Sequence, residues 1–113
     1  MGDRGNIAVK MNDDTIFFYT HWRGYKVTDV LADALHRGMS RWDDPAYLAR
    51  IIFCSLMGDS DVSETTGFGI SNIICDNQYP IPTVHATSVP QFVEYEGMTY
   101  SYPMFIQKFK KEN

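Results

Sequence analysis

Six consecutive β-branched or aromatic residues, Thr15-Ile16-Phe17-Phe18-Tyr19-Thr20, constrain this chain more than any other stretch. Such side chains lose rotamer freedom in a helix and pack well on a pleated surface, so the run predicts a buried strand. It ends abruptly in His21-Trp22-Arg23-Gly24-Tyr25, which places ionisable and aromatic groups in the loop beyond. Ile7-Ala8-Val9-Lys10-Met11 reads as a preceding strand, and the polar Asn12-Asp13-Asp14 between the two predicts a hairpin. If Met11 faces Thr15, Arg4 and Gly5 fall opposite Trp22 and His21, beside the polar end.

Two helices should follow. Thr28 is the expected N-cap of the first, with Val27 as a staple; Val30, Leu31, Ala34 and Leu35 form its apolar stripe, and Gly38 ends it. Asp44-Pro45 supplies a cap and a first-turn proline for the second, whose run over 47–56 stops at Gly58. This second helix is the more apolar, so it is expected to be the more buried, with Arg50 its one charged residue. Residues 68–74, 83–89 and 92–96 read as strands and 76–80 as a turn, while Pro82 and Pro90 push the later strands toward edges or ends. Ser101 can open a helix over 103–110, with Met104, Phe105 and Phe109 inward and Lys108, Lys110 and Lys111 at its C-terminal end. The order β-β-α-α-β-β-β-α implies one α+β domain over residues 1–113. Its antiparallel sheet has about five strands, with the two central helices and a short C-terminal helix mainly on one face.

With 113 residues the chain can bury one core but not two, and a net charge of −4 argues against direct nucleic-acid binding, which needs a basic stripe. No apolar run approaches the roughly 20 residues that span a bilayer, and residues 1–6 carry no signal-peptide core, so no membrane association and a cytoplasmic location are expected. Cys54 and Cys75 lie in apolar sequence and should be buried thiols, with a disulfide between them as the alternative that their spacing does not decide. His36 and His85 lack ligand spacing. The acidic run 59–64 fails the calcium-loop pattern, with Glu64 where the turn glycine belongs and Ile70 where a bidentate glutamate belongs. No serine or cysteine sits in a nucleophile elbow. No metal, cofactor or catalytic residue is expected, and the balance favours a non-enzymatic protein.

Two constellations stand out. The His21 end should collect Asp3-Arg4, residues 21–25, the start of the first helix and the acidic loop 59–64. One reading is a small anionic ligand held by Arg4, His21 and Arg23, with Trp22 or Tyr25 stacked on a base: a nucleotide sponge, or a small phosphodiesterase using His21 as acid or base. The other is structural: His21 and Trp22 pack over the sheet end while Arg4 and Arg23 pair with Asp59, Asp61 or Glu64. Arg41-Trp42-Asp43 falls at the opposite end, where it resembles a protein-interface hot spot unless Trp42 covers the core. Arg50 should pair with Asp29 or Asp33, or reach a ligand. Aromatic residues make up 14% of the chain, a surplus expected at a surface, which points to a partner-binding patch or a homodimer.

The blocks Tyr19-Thr20-His21-Trp22-Arg23-Gly24-Tyr25, Arg41-Trp42-Asp43-Asp44-Pro45-Ala46-Tyr47-Leu48-Ala49-Arg50-Ile51-Ile52-Phe53 and Gly67-Phe68-Gly69-Ile70-Ser71 resemble a family of small uncharacterised proteins of phages and bacteria. The resemblance covers most of the chain and brings no functional residues with it. It implies a setting: an accessory protein of a phage or mobile element in a bacterial cytoplasm. Small phage proteins of this size often bind and block a host protein, including components of antiviral defence. A structural virion component is a further alternative.

Overall fold

The computed structural model describes residues 2–60, 63 and 65–110. Its sequence-expected centre is the hairpin of β1 (Gly5–Met11) and β2 (Asp14–Thr20). Met11 faces Asp14 rather than Thr15, because the connection is only Asn12-Asp13, with Asn12 in the left-handed region at φ 56°. That one-residue difference decides which side chains reach the core. Ile7 now faces Phe18 and Val9 faces Ile16, so all four line one face, while Phe17 and Tyr19 join Ala8 and Asn6 on the other. The expected register would have put Phe17 and Tyr19 against the helices instead.

Residues 24–26 form a 3-10 turn that leads directly into α1 (Val27–Arg37). This early turn moves the N-cap from Thr28 to Lys26, which makes no side-chain cap bond, and turns Val27 into a core residue instead of a staple. The stripe continues through Leu31, Ala34 and Leu35 as expected. A second 3-10 turn over 39–41 joins it to α2 (Pro45–Met57). There Asp44 Oδ1 accepts the Tyr47 N–H at 3.3 Å and Pro45 opens the first turn, both as the sequence implies. α2 is not the more buried helix: five of its 13 residues are buried, against five of 11 in α1. α1 lies between α2 and the C-terminal helix, so α2 keeps an outer face that carries Arg50 and Cys54.

Four short strands complete a six-stranded mixed sheet: β3 (Phe68–Ser71), β4 (Thr83–His85), β5 (Phe92–Tyr95) and β6 (Met98–Tyr100). Their order is β3-β2-β1-β4-β5-β6. β4 lies parallel to β1 and every other pair is antiparallel. The parallel pair arises because residues 72–82 leave β3 at one edge and cross back past β2 and β1 before β4 begins. β6 is the strand the sequence hides: only three residues long, it follows β5 through Glu96-Gly97, both at positive φ (50° and 79°). α3 (Tyr102–Phe109) is capped by Ser101, whose Oγ accepts the Met104 N–H at 3.2 Å. Its inward residues are Tyr102, Phe105 and, in part, Phe109; Met104 points to solvent because the stripe through 102, 105 and 109 faces the core and 104 lies on the opposite side of the helix.

All three helices cover one face, and the core between them and the sheet joins Ile7, Val9, Phe18, Val84 and Val93 to Leu31, Leu35, Leu48, Ile52, Leu56 and Phe105. Tyr102 is buried there too, edge-on to Trp42 at 5.2 Å, and its hydroxyl has no hydrogen-bond partner. Burial pushes that hydroxyl above the ordinary tyrosine pKa of 10.0. As the pH rises above 10 the unfolded chain releases this proton while the folded chain keeps it, so unfolding becomes easier by up to about 1.4 kcal/mol per pH unit from this group. Tyr102→Phe removes the partnerless hydroxyl and is expected to be neutral or stabilising by about 1 kcal/mol near pH 7. Urea titrations at pH 8 and 10.5 should show the variant losing less stability than the parent; equal losses would refute the assignment.

Candidate functional site

The His21 end is built from the last residue of β2, the first of β1 and a segment the sequence did not place there, residues 76–79. Thr20 is fully buried and its Oγ1 accepts the N–H groups of Trp22 (3.2 Å) and Arg23 (3.1 Å), which turns the chain out of β2. Gly24 then donates to Asp3 O at 2.8 Å, and a Cβ on Gly24 would lie 2.8 Å from that same oxygen, so only glycine permits the approach. The crossover docks on β1 by matched polar groups. Gln78 exchanges bonds with Arg4, its N–H reaching Arg4 O and its Oε1 accepting from Arg4 N–H, both at 2.8 Å. The buried Asn6 side chain donates to Asp76 O (2.7 Å) and Asn77 Oδ1 (3.1 Å). Tyr79 donates its hydroxyl to Asp3 Oδ1 at 3.1 Å, a bond that raises its pKa.

Each sequence-nominated residue at this end has a structural contact. Arg4 pairs with Asp76 at 3.2 Å, not with the acidic loop; Asp61 and Glu64 lie outside the described residues. His21 Nδ1 meets the Tyr19 hydroxyl at 3.0 Å, and its ring stands edge-on to Trp22 with centroids 4.5 Å apart. Arg23 packs against Gly58 at the end of α2, in the space a side chain there would fill. Trp22 and Tyr25 are exposed. His21 and Trp22 are thus brought together, whereas Arg4 and Arg23 are drawn to different partners.

The opposite end carries the more open surface. Trp42 is half-buried and structural: its indole N–H donates to Leu35 O at 2.9 Å and its ring packs on Tyr102. Its neighbours are free of that duty. The Arg41 guanidinium lies over the exposed Tyr47 ring, 4.9 Å from the centroid. Asp43 and Pro45 line one wall of a cleft of about 450 Å³, and residues 86–91 line the other. Gln91 ties that loop down by donating to Trp42 O and Ala86 O. At its tip Val89 is 98% exposed. Sequence reading extended β4 through Val89 and so missed Val89 and Gln91, for which the Ser88-Val89-Pro90 turn was the available signal; Tyr47, on α2, was also missed.

Elsewhere, Asp33 pairs with Arg37 at 3.1 Å and not with Arg50, which is exposed beside an apolar groove. Cys54 and Cys75 are unpaired but exposed, not buried. Cys54 falls between the inward positions Ile52 and Ser55 of α2, and Cys75 lies in the crossover. Among the described residues no cluster of three or more His, Cys, Asp or Glu could hold a metal, and no helix is long and apolar enough to cross a membrane. Comparison with protein-family models, curated proteins and solved structures finds no match to this chain.

Asn6→Ala removes the two side-chain hydrogen bonds by which Asn6 holds the crossover to β1. It should destabilise the fold by about 1–3 kcal/mol, since the Asp76 carbonyl loses a buried partner. Hydrogen exchange should accelerate at the Gln78 and Arg4 amides before β1 itself opens; unchanged exchange there would mean that Asn6 does not hold the crossover.

Proposed function

We propose that this protein is a small non-enzymatic accessory protein of a phage or mobile element, which binds a host protein and inhibits it, with antiviral-defence components as the class to test first. The observation that carries the reading is the Arg41–Tyr47 pair beside the exposed Val89 tip and the Asp43 cleft. Arginine and tyrosine dominate binding energetics at protein interfaces, and stacking holds this pair in place before any partner arrives, which lowers the entropic cost of binding. A fully exposed valine on a tied-down loop gives a partner an apolar knob next to a polar-rimmed cleft. The phage setting rests on the family resemblance of the Tyr19–Tyr25 and Arg41–Phe53 blocks.

The test is native mass spectrometry of the protein purified gently from bacterial lysate, alongside Arg41→Ala/Val89→Asp and His21→Ala. A host protein should accompany the parent and His21→Ala but not the double variant, whose loss of about 2 kcal/mol per anchor weakens binding by roughly 30-fold or more per site. A nucleotide-sized adduct that depends on Arg4 and His21 would overturn the reading in favour of a nucleotide sponge or phosphodiesterase. Recovery only with virus particles would overturn it in favour of a virion component.

A further inference from the structure

β3 is an edge of the sheet, and apart from being short, at four residues, it lacks the charges and prolines that normally protect one. Residues 67–75, Gly-Phe-Gly-Ile-Ser-Asn-Ile-Ile-Cys, include no charge and no proline. Ile70, Ile73 and Ile74 are exposed, at 61%, 63% and 49%. Ile70 faces Phe18 across the ladder, so it lies on the helix face of the sheet. There it borders a groove of about 250 Å³ whose other walls are Ile16, Phe18, Ala49, Phe53 and Arg50. Arg50, the one cation on α2, keeps its stem on this groove.

The ladder fixes which backbone groups are free. His21 N–H donates to Gly67 O at 2.8 Å, so by alternation the bonding groups of Gly67, Gly69 and Ser71 face β2. Those of Phe68 and Ile70 face outward, and among the described residues no strand pairs with them. Two donors and two acceptors therefore stand in a row centred on Gly69. A row of this kind is complementary to itself when turned by a two-fold axis.

We propose that β3 pairs antiparallel with β3 of a second copy of this chain, about a two-fold axis through Gly69, joining two six-stranded sheets into one. Phe68 of each copy then faces Ile70 of the other, an aromatic–aliphatic cross-strand pair on the helix face, and each Ile70 seats at the partner's groove. Only an even register keeps the two helix layers on the same side, and centring on Gly69 satisfies all four outward groups. The four residues of β3 and the exposed residues of the groove make a contact smaller than a standard interface, so the paired backbone edges carry much of its strength. A contact of this size is reversible, so the dimer depends on protein concentration. The two β3 strands themselves bring no charge to the contact. Val89, in the loop after β4, lies three strands away and stays open in the dimer.

Gly69 gives a clean test. A Cβ added there meets nothing within 4 Å, and its φ is not in the left-handed region, so the subunit tolerates a side chain. In the dimer the two Gly69 residues form a non-hydrogen-bonded pair, where side chains are closest. Gly69→Lys and Gly69→Glu should each sediment at the subunit mass at concentrations up to about 100 μM, where the parent sediments at twice that mass. Mixed one to one, the two variants should regain the dimer, and the Phe68 and Ile70 amides of the parent should gain exchange protection with concentration. A parent that stays at the subunit mass throughout, a dimer indifferent to both charges, or a mixture that fails to reassociate with circular dichroism unchanged would each overturn the proposal.

Discussion

Everything in this fold leans on β1, a strand buried on both faces. Ile7 and Val9 face the helix layer and are fully excluded from water, while Asn6 and Ala8 on the other face are equally hidden. A strand in that position needs cover on each side, and the second side has no helix to provide it. The crossover of residues 72–82 supplies the cover, and Asn6 supplies the reason it stays: a buried amide must be bonded, and its donors find Asp76 O and Asn77 Oδ1. The crossover in turn delivers β4 to the far side of β1 in a parallel sense, with Ala8 N–H meeting Pro82 O at 3.0 Å. The mixed topology thus follows from covering one strand.

That dependence explains what the sequence made legible. Local signals read well where the local chemistry decides: Asp44-Pro45 capped α2, Ser101 capped α3, and the β-branched run formed β2. The register failed because Phe17 and Phe18 are adjacent and equally apolar, so alternation alone does not say which faces the core; the Asn12-Asp13 turn decides it. β6 failed because Met98-Thr99-Tyr100 alternates for only three residues, too short a run to set a detectable period. The parallel partner of β1 was invisible for a different reason. It depends on Asn6 and Asp76 meeting across 70 residues, and a single asparagine in a strand resembles any other polar position.

The aromatic surplus is likewise a question of placement. Sequence composition argued that it must lie on a surface, yet much of it forms one connected cluster between α3 and the last two strands. Tyr95 and Tyr100 stand edge-on to Phe109 at 5.6 Å, and Phe105 meets Tyr100 at 5.8 Å and Phe109 at 4.5 Å. Trp42 extends the same cluster through Tyr102. Such rings fill the taper where α3 leaves the sheet, a job that aliphatic side chains would need more residues to do. What remains outside, Trp22, Tyr25 and Tyr47, is a smaller and more pointed set.

The two ends of the sheet differ in how far their polar groups satisfy one another, and this bears on where binding energy can come from. At the His21 end Arg4, Asp76, Gln78, Asn77, Asp3 and Tyr79 bond among themselves and close the crossover onto β1; the exceptions, Arg4 Nε and Asn6 Oδ1, are buried. A ligand arriving there must displace bonds already made, and it gains only the difference. At the Val89 end the bonds that hold the loop, Gln91 to Trp42 and Ala86 carbonyls and Trp42 to Leu35, lie beneath the surface. Above them Arg41, Tyr47, Asp43 and Val89 face water, so a partner replaces solvent rather than protein. The same reasoning applies to the β3 edge, where the outward groups of Phe68 and Ile70 pair with no strand among the described residues. Polar groups satisfied within the fold at one end and open to water at the other set how much binding energy each surface can offer.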